Sequence, residues 1–255
     1  MSGFRAYFEN LKDAKLGGVL FLSSDESRHL CGALRAQKSD KVDVFDLSGT
    51  VLECEISVSS PKKAELKILS RRDLKDGRPQ IILAQCMPKG KTFDDIIKSA
   101  IQLGATAIIP VVSERTIVRF SDGKDRLSKL EKWRAQIVEA VKQSANMLAL
   151  KIFEPVDFGD FIKRADFFVP RECARIVASL DAENPKPVLS ILDEKNPSGV
   201  CVLIGPEGDL SKEEYKAAYL AGFAPATLGD SVMKSDVAAS FSISVCSAFF
   251  QKKSQ

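Results

Sequence analysis

The sequence predicts an α/β protein in which a small, strand-rich N-terminal domain precedes a larger domain with a parallel sheet. In the first seventy residues, short segments alternate apolar and polar side chains, whereas later in the chain continuous apolar runs alternate with helical stretches. A polar, turn-rich segment separates the two regions. Since 255 residues suffice for two domains, we predict domains at residues 1–72 and 80–255, joined by a linker at 73–79.

The N-terminal region has the pattern of a compact β-barrel with one helix. Ser23 and Glu26 have the spacing of a capping box, and apolar residues follow at helical intervals as far as Leu34. A turn at 46–49 is a plausible hairpin connection between the first two predicted strands. The segments with partial period-two patterning, which we predict as strands, are Lys41–Leu47, Thr50–Val58 and Ala64–Ser70.

The second region begins with a βαβ unit. Two continuous apolar runs, Ile81–Met87 and Ala105–Val112, flank a helical stretch at Phe93–Leu103, which is typical of a buried parallel sheet. The further predicted elements are a long amphipathic helix from about Leu127 to Leu150, strands at Phe167–Pro170, Arg175–Ser179 and Val200–Ile204, and helices that start near Ser211 and near Asp236.

Composition excludes some classes of protein and leaves others open. The net charge of +3 fits an RNA partner, but many cytosolic enzymes have a similar charge. Six widely spaced cysteines without a C-x-x-C pair, and a single histidine, argue against zinc, so we expect no metal. The N-terminus lacks the apolar stretch of a signal peptide, and no apolar run reaches the ~20 residues of a membrane span. We therefore expect a cytoplasmic protein.

The segment after Val200–Ile204 is the first that points to a ligand. The predicted buried strand runs directly into Gly205-Pro206-Glu207-Gly208, and Ser211 with Glu214 then forms a capping box for the next helix. In an open parallel sheet, ligands bind beyond the carboxyl ends of the strands, and glycines let the backbone approach them closely. From this loop alone, a ligand loop and an ordinary strand-to-helix turn are equally good interpretations.

A second glycine-containing loop follows. Ala226-Thr227 ends a short predicted strand, Leu228–Met233 forms the loop, and a helix rich in alanine and serine starts with Ser235 as its N-cap. The small side chains let this helix pack closely against a neighbour. By itself, this stretch is explained by a close-packed terminal helix.

Together, the two loops resemble the C-terminal half of the SPOUT methyltransferases. Other segments narrow the resemblance to the enzymes that methylate N3 of a uridine in ribosomal RNA, the RsmE family. It covers nearly the whole chain in the right order. The segments that carry it are His29-Leu30, Leu34-Arg35, Met87–Lys91, Ile97–Ala105, Ile109–Thr116, Lys132–Arg134 and Glu139–Ser144.

This resemblance implies a fold, a reaction and partners. The fold would be a trefoil-knotted SPOUT methyltransferase domain behind a PUA-like barrel that helps to hold RNA, and the protein would be a homodimer. The reaction would be S-adenosylmethionine-dependent methylation of uridine N3 in 16S ribosomal RNA of the small ribosomal subunit. The resemblance places the cofactor against Leu203, Ile204, Gly205, Pro206, Glu207, Gly208, Leu228, Gly229, Val232 and Met233.

Methylation of N3 requires a site that stabilises negative charge, because uridine N3 is a poor nucleophile until its proton leaves. The resemblance places Lys234 at the position of a family arginine beside the cofactor loop, so Lys234 is the predicted cation. Glu207 is predicted either to position cofactor or substrate or to cap a neighbouring backbone group. Arg115, which with Lys234 and Glu207 completes the set of predicted catalytic residues, is predicted to contact phosphate or the partner subunit, with a surface ion pair as the alternative.

Basic residues of the N-terminal region favour contact with RNA phosphates. Lys41 adds to this basic region, whereas Lys98 fits a solvated helix face. His29 is the only histidine, and we interpret it as structural or RNA-facing rather than as a general base. The predicted RNA-binding residues are Arg28, Arg35, Lys38 and Lys91.

The chain departs from the family pattern at several positions. Met233–Ala238 replaces the usual Leu-Arg-Thr-Glu-Thr-Ala, Asn146 replaces an arginine, Gln102 replaces a glutamate and Asp209 replaces a glycine. Lysine offers a point charge where arginine offers a planar fork, so Lys234 is not equivalent to the family residue. These departures leave the fold unchanged and affect the expected rate or the target nucleotide.

Three other functions are alternatives to this hypothesis. One is a knotted methyltransferase with a different RNA target, and another is a non-catalytic RNA-binding homologue, which Asn146, Lys234 and Asp236 would explain. An unrelated nucleotide-binding enzyme is disfavoured because no phosphate-binding glycine motif follows a strand.

For the homodimer, the predicted interface is the last helix, about Asp236–Phe250, which would otherwise expose Ala238, Ala239, Ser242, Val245, Ser247 and Phe249.

Overall fold

A computed structural model of the protein describes residues 3–120, 122–144 and 147–253. It divides into two compact units, residues 1–77 with 138–149, and residues 78–137 with 150–255. The segment 138–149 lies outside the N-terminal domain range expected from the sequence, and the predicted domain ranges themselves stay a prediction. Asn146, one of the departures from the family pattern, lies outside the described residues.

The first unit contains a five-stranded sheet in the order β1-β3-β4-β5-β2, in which β1 pairs with β3 in parallel and the other pairs are antiparallel. Two of its strands, β1 and β2, were not predicted, because segments of four and three residues are too short to show periodicity. The strands are β1 Phe4–Tyr7, β2 Val19–Phe21, β3 Lys41–Phe45, β4 Thr50–Val58 and β5 Glu65–Asp73.

The sheet of the first unit surrounds its own core. Leu52, Cys54 and Ile56 of β4 are buried together with Leu66 and Ile68 of β5, as the period-two pattern predicts. The register between β4 and β5 shifts twice, at Glu53/Cys54 and at Ile56/Val58. Such bulges bend a strand and increase its twist, which lets a short sheet curl around a small core.

A helical segment follows β2 in this unit. Helix α1 (Ser24–Ser27) continues as a π-helical stretch at Arg28–Ala33. Ser23 Oγ accepts a hydrogen bond from the Glu26 N–H at 3.2 Å, so this half of the predicted capping box is confirmed. The other half is wrong, because the Glu26 carboxylate accepts hydrogen bonds from the Tyr7 N–H and from the Lys142 ammonium instead.

The Glu26–Lys142 ion pair is buried inside the first unit, with side chains 14% and 6% exposed. Burial opposes the charge of Lys142, but hydrogen bonds to Glu26 and Glu139 outweigh it and raise the pKa of Lys142. Removing one partner of a buried pair is costly because the remaining charge stays buried. We expect Glu26→Ala to lower the free energy of unfolding by about 3 kcal/mol in urea denaturation at pH 7.

Glu139→Ala is the matched control, since Glu139 contacts the same ammonium but is 56% exposed. Its loss is expected to change the free energy of unfolding by less than about 1 kcal/mol. Equal effects of the two substitutions would contradict the assignment of Glu26 as the buried partner.

The described strands of the second unit form one eight-stranded parallel sheet in the order β11-β13-β10-β12-β6-β7-β8, and β9 also pairs with β7. Strand β12 lies between β10 and β6 and is buried along its whole length, as its continuous apolar run predicts. The strands are β6 Gln80–Cys86, β7 Ala107–Val112, β8 Lys151–Ile152, β9 Val156–Asp157, β10 Cys173–Ala178, β11 Lys186–Pro187, β12 Gly199–Ile204 and β13 Ala224–Thr227.

Helices connect these strands, and the predicted βαβ unit is confirmed as β6-α2-β7. Helix α2 ends at Gly104, whose φ of 91° is a left-handed conformation that favours glycine at a helix end. Among the described residues, no helix has the length and apolar character that crossing a membrane requires. The helices are α2 Thr92–Leu103, α3 Gly123–Ser144, α4 Phe158–Lys163, α5 Ala165–Phe168, α6 Val188–Lys195, α7 Lys212–Leu220 and α8 Ser235–Lys253.

The strand predicted at Phe167–Pro170 is wrong, because Ala165–Phe168 forms the short helix α5. Phe168 is buried against Phe161, whereas Phe167 is exposed with the Arg164 guanidinium over its ring. A short apolar run has the same composition in a strand and in one helical turn, and periodicity does not separate them.

The burial of residues in helix α8 differs from the prediction for the last helix. Of the residues predicted to be exposed there, Ala238, Ala239, Ser242 and Phe249 are buried within the chain's own fold, where α8 packs against α2 and α6. The apolar surface argument for an interface at these residues is therefore wrong. Ser235 is the first helical residue rather than the N-cap, since Lys234 O accepts the Ala238 N–H at 2.8 Å.

Candidate active site

A cavity of about 310 Å³ lies at the carboxyl ends of the neighbouring parallel strands β12, β10 and β13. Its volume and its mixture of apolar and polar walls are typical of a small-molecule site. Its lining residues are Ala178, Ser179, Leu180, Ile204, Gly205, Pro206, Glu207, Asp209, Ala226, Thr227, Leu228, Gly229, Ser231, Val232, Met233, Lys234, Ser235 and Ala238.

Both glycine-containing loops singled out in the sequence contribute to this cavity. Leu203 does not line it, because its side chain belongs to the buried core of the sheet, and Gly208 does not, because it lies against Arg115. Their cofactor roles stay predictions. The predicted cofactor residues that line the cavity are Ile204, Gly205, Pro206, Glu207, Leu228, Gly229, Val232 and Met233.

Sequence reasoning missed the contribution of strand β10. Ala178, Ser179 and Leu180 form one wall, but no motif marks them. Their position at the carboxyl end of a buried strand is the signal that could have found them, since all carboxyl ends of a parallel sheet meet at one edge. Asp209 was noted as a departure from the family, but not as a residue of the cavity wall.

Asp209 closes a turn with the Pro206 carbonyl, to which its N–H donates at 3.0 Å. Its φ of 61° lies in the left-handed region, which explains why glycine is usual here and why aspartate is tolerated. Tyr215 Oη donates to Asp209 Oδ1 at 2.6 Å and accepts the Leu180 N–H at 3.2 Å. Burial and the Asp209 hydrogen bond raise the pKa of Tyr215 well above 10, so the hydroxyl remains a donor.

Glu207 and Arg115, two of the predicted catalytic residues, make contacts that hold the loop after β12. Glu207 lines the cavity, and its Oε1 accepts the Lys89 N–H at 2.9 Å, which is the backbone-capping alternative. The Arg115 guanidinium donates to the carbonyls of Gly208 at 3.0 Å and Leu210 at 3.3 Å, and Arg115 is not a lining residue. Catalytic roles for both stay predictions.

Lys234 differs from these two residues. It is exposed, lines the cavity and directly precedes α8, and its ammonium forms no ion pair with the part of the chain that the structure describes. The charged residues of the lining are Glu207, Asp209 and Lys234. Lys234 therefore provides the positive charge among the lining residues.

A hydrogen-bond relay connects the loop that follows β12 to strand β6 and to the start of helix α8. Gln85 Nε2 of β6 donates to Ser235 Oγ at 2.8 Å, and Ser235 Oγ donates to the Gly205 carbonyl at 3.1 Å. Gln85 and Ser235 are both buried. The relay thus fixes the start of α8 against the loop that follows β12.

We expect Ser235→Ala to lower the free energy of unfolding by about 1–3 kcal/mol, because the Gly205 carbonyl loses the Ser235 donor and the buried Gln85 amide loses one of its two acceptors, retaining the Cys86 carbonyl. Ser244→Ala is the control, since its hydroxyl donates to the Ser240 carbonyl one turn earlier in the same helix at 2.8 Å. Urea denaturation of both variants measures the difference, and equal stabilities would contradict a structural role for the relay.

The remaining sequence candidates lie on the surfaces of the two units. Arg28, which pairs with Asp25 at 3.4 Å, belongs to the first unit together with the exposed Arg35 and Lys38. His29 lies in its π-helical stretch, while Lys91 precedes α2 in the second unit. Lys41 and Lys98 form surface ion pairs with Glu53 and Asp95. In the described ranges, no group of three or more His, Cys, Asp or Glu residues has the geometry to hold a metal ion.

Comparison with known families places the cavity within a defined domain. Residues 76–247, which contain every lining residue, match the RNA methyltransferase domain family. The chain belongs to the RNA methyltransferase family. Residues 22–69 of this methyltransferase match the RNA methyltransferase PUA domain, and the predicted combination of a PUA domain with a parallel-sheet methyltransferase domain is confirmed.

Relatives of this methyltransferase share most of its length. It is 26% identical over 230 residues to a protein of Synechocystis sp., covering 90% of this chain and 73% of the relative. It is 27% identical over 240 residues to a protein of Aquifex aeolicus, covering 93% and 97%. Both relatives are named ribosomal RNA small subunit methyltransferase E.

A solved structure shares the fold of this methyltransferase. The ribosomal RNA small subunit methyltransferase E of Neisseria gonorrhoeae, bound to S-adenosyl methionine, aligns with a TM-score of 0.79 at 24% identity, covering 96% of this chain and 97% of that one.

Proposed function

We propose that this RNA methyltransferase transfers the methyl group of S-adenosylmethionine to N3 of a uridine in 16S ribosomal RNA of the small ribosomal subunit. The observation that carries the proposal is the cavity built from both glycine-containing loops within the methyltransferase domain. The names of the relatives in Synechocystis and Aquifex support ribosomal RNA as the substrate.

The residues of the cavity fit this cofactor. S-adenosylmethionine carries a sulfonium, an ammonium and a carboxylate, hence a net charge of +1, and the lining carries two carboxylates and one ammonium, hence −1. The apolar residues Ile204, Leu228 and Met233 offer contacts to an adenine ring. The bound cofactor would supply an electrophilic methyl group, and the loops of β12 and β13 would hold it.

The chain's own residues would then bind and activate the uridine. N3 must lose its proton to become a good nucleophile, and negative charge develops on the uracil oxygens. An ammonium that is already placed in the cavity wall stabilises this charge without reorganisation. Lys234 has this position and forms no ion pair with another residue in the described ranges, so we propose Lys234 as the residue that stabilises the uracil anion.

The RNA is proposed to contact basic residues of both units. Arg28, Arg35 and Lys38 lie in the unit that contains the PUA domain, and Lys91 lies at the start of α2. Lysine and arginine contacts to phosphates position RNA without reading its sequence. A ribosomal substrate would place the enzyme in the cytoplasm.

We also propose a homodimer, with a different part of α8 at the interface from the one expected from the sequence. Val237 and Phe241 are one turn apart on α8 and are exposed, and the lining residues Leu180 and Val232 are also exposed. Exposed apolar side chains of this kind favour a protein interface. Light scattering at micromolar concentration tests the proposal, and a clean monomer mass would contradict it.

Calorimetric titration with S-adenosylmethionine is the first test of the proposed function, and absence of binding at millimolar cofactor would exclude it. The second test is methyl incorporation into small ribosomal subunits that lack the modification, with mass spectrometry to locate the methyl group. A methyl group on a nucleotide other than uridine N3 indicates a different RNA target. Cofactor binding without transfer to any RNA indicates a non-catalytic RNA-binding protein.

A further inference from the structure

Asp209 lies in the cavity wall as a carboxylate held in a fixed orientation. Its backbone is fixed by the turn to Pro206 and its Oδ1 by the Tyr215 hydroxyl at 2.6 Å. The carboxylate also lies close to Gly205, since a Cβ at that position would be 3.4 Å from Asp209 Oδ1. Such a group is oriented before any ligand arrives, which lowers the entropy cost of binding.

The hydrogen-bonding capacity of this carboxylate is only partly used. A carboxylate has two oxygens and accepts about four hydrogen bonds. Oδ1 accepts the one from Tyr215, and Oδ2 accepts none from the residues in the described ranges. A partly satisfied acceptor in the wall of a cavity is suited to a ligand that carries hydroxyl or ammonium donors.

We propose that Asp209 is a cofactor-recognition residue of this enzyme, and that its carboxylate accepts a hydrogen bond from a donor group of S-adenosylmethionine. The inference rests on the proposed function and names a contact that a glycine at this position has no side chain to make. The donor is either a ribose hydroxyl or the ammonium of the amino acid part, both of which pair well with carboxylates. Tyr215 is the positioning residue that orients Asp209.

Asp209→Asn is the informative substitution. Asparagine tolerates the left-handed backbone, and its amide oxygen still accepts the Tyr215 hydroxyl. The amide nitrogen, a donor, then replaces the second carboxylate oxygen. We expect calorimetry to show an affinity for S-adenosylmethionine that is about ten- to a hundredfold weaker, since hydrogen bonds to charged groups are strong.

A second ligand distinguishes the two donors. 5′-Methylthioadenosine has the ribose hydroxyls but lacks the amino acid part. If both ligands lose affinity equally in Asp209→Asn, the carboxylate binds the ribose, and if only S-adenosylmethionine does, it binds the ammonium. Equal affinities of wild type and Asp209→Asn for both ligands would overturn the inference while leaving the proposed function intact. A wild type without cofactor binding would instead refute the proposed function.

Tyr215→Phe tests the positioning role separately. It keeps the Asp209 carboxylate and removes its hydrogen bond, together with the acceptor of the Leu180 N–H, so KM for the cofactor is expected to rise several-fold while kcat at saturating cofactor changes little. Glu213→Gln is the control, since Glu213 is an exposed carboxylate at the start of α7 outside the cavity lining. A fall of kcat without a change of KM in Tyr215→Phe would contradict the positioning role.

Discussion

Replacing Lys234 by alanine is expected to lower the rate constant of methyl transfer by about a hundred- to a thousandfold. One directed donor that stabilises developing negative charge typically contributes about 2.7–4 kcal/mol to transition-state binding. The Lys234 ammonium would interact with the uracil mainly in the transition state, so the dissociation constant of S-adenosylmethionine is expected to change little. Single-turnover methylation and calorimetry measure the two quantities separately.

Two further lysine substitutions sharpen this prediction. Lys234→Arg keeps the positive charge and adds a planar fork of donors, so it is expected to keep or raise the rate. Lys212→Ala removes an exposed lysine at the start of α7, outside the cavity lining, and is expected to leave the rate unchanged. An unchanged rate in Lys234→Ala would remove Lys234 from the mechanism.

Gly205→Val is expected to weaken cofactor binding by roughly ten- to a hundredfold, a shift visible by calorimetry. A Cβ at Gly205 would already be in van der Waals contact with Asp209 Oδ1 at 3.4 Å and Leu210 N at 3.5 Å, and valine adds two methyl groups beyond it, so we expect the larger side chain to crowd the turn. Overpacking of this kind costs about 1–3 kcal/mol. Because it displaces the cavity wall, we expect cofactor binding to weaken by a similar free energy. The side chain at 205 is thus expected to act through the loop.

The control for Gly205→Val is Gly159→Val, because a Cβ at Gly159 in α4 would meet no atom within 4 Å. Its cofactor affinity is expected to equal that of the wild type. Thermal unfolding of both variants separates a local change of the loop from a loss of the fold. Wild-type affinity in Gly205→Val would show that the turn tolerates a side chain there.

Local patterns predicted best the elements with a regular alternation or a uniformly apolar run, whereas the long helix predicted from about Leu127 to Leu150 is α3 at Gly123–Ser144. Thr50–Val58 was predicted to the residue, and the buried strand β12 was predicted within one residue. The pattern failed at Phe167–Pro170, where aromatic packing turned a short apolar run into helix α5. It also failed for the packing of α8, because small side chains fit an interface between subunits and a tight contact inside one chain equally well.

The candidate site was predictable where a motif marked it and hidden where it depended on contacts distant in sequence. Gly205–Glu207 and Leu228–Met233 were found from loop composition and line the cavity for the most part. The link between Gln85 and Ser235 joins residues 150 positions apart, and spacing along the chain contains no sign of it. The Asp209–Tyr215 hydrogen bond was missed because either residue alone fits a solvated loop or a buried helix face.

The loop that follows β12 is held by groups from distant parts of the chain, namely the Lys89 N–H, Arg115 and Ser235. Contacts between residues far apart in sequence form slowly, because a long segment must be closed before each of them is made. Helix formation is local and fast by comparison. During refolding from urea, the capacity to bind cofactor should therefore return after the helical circular dichroism signal, in the slowest kinetic phase.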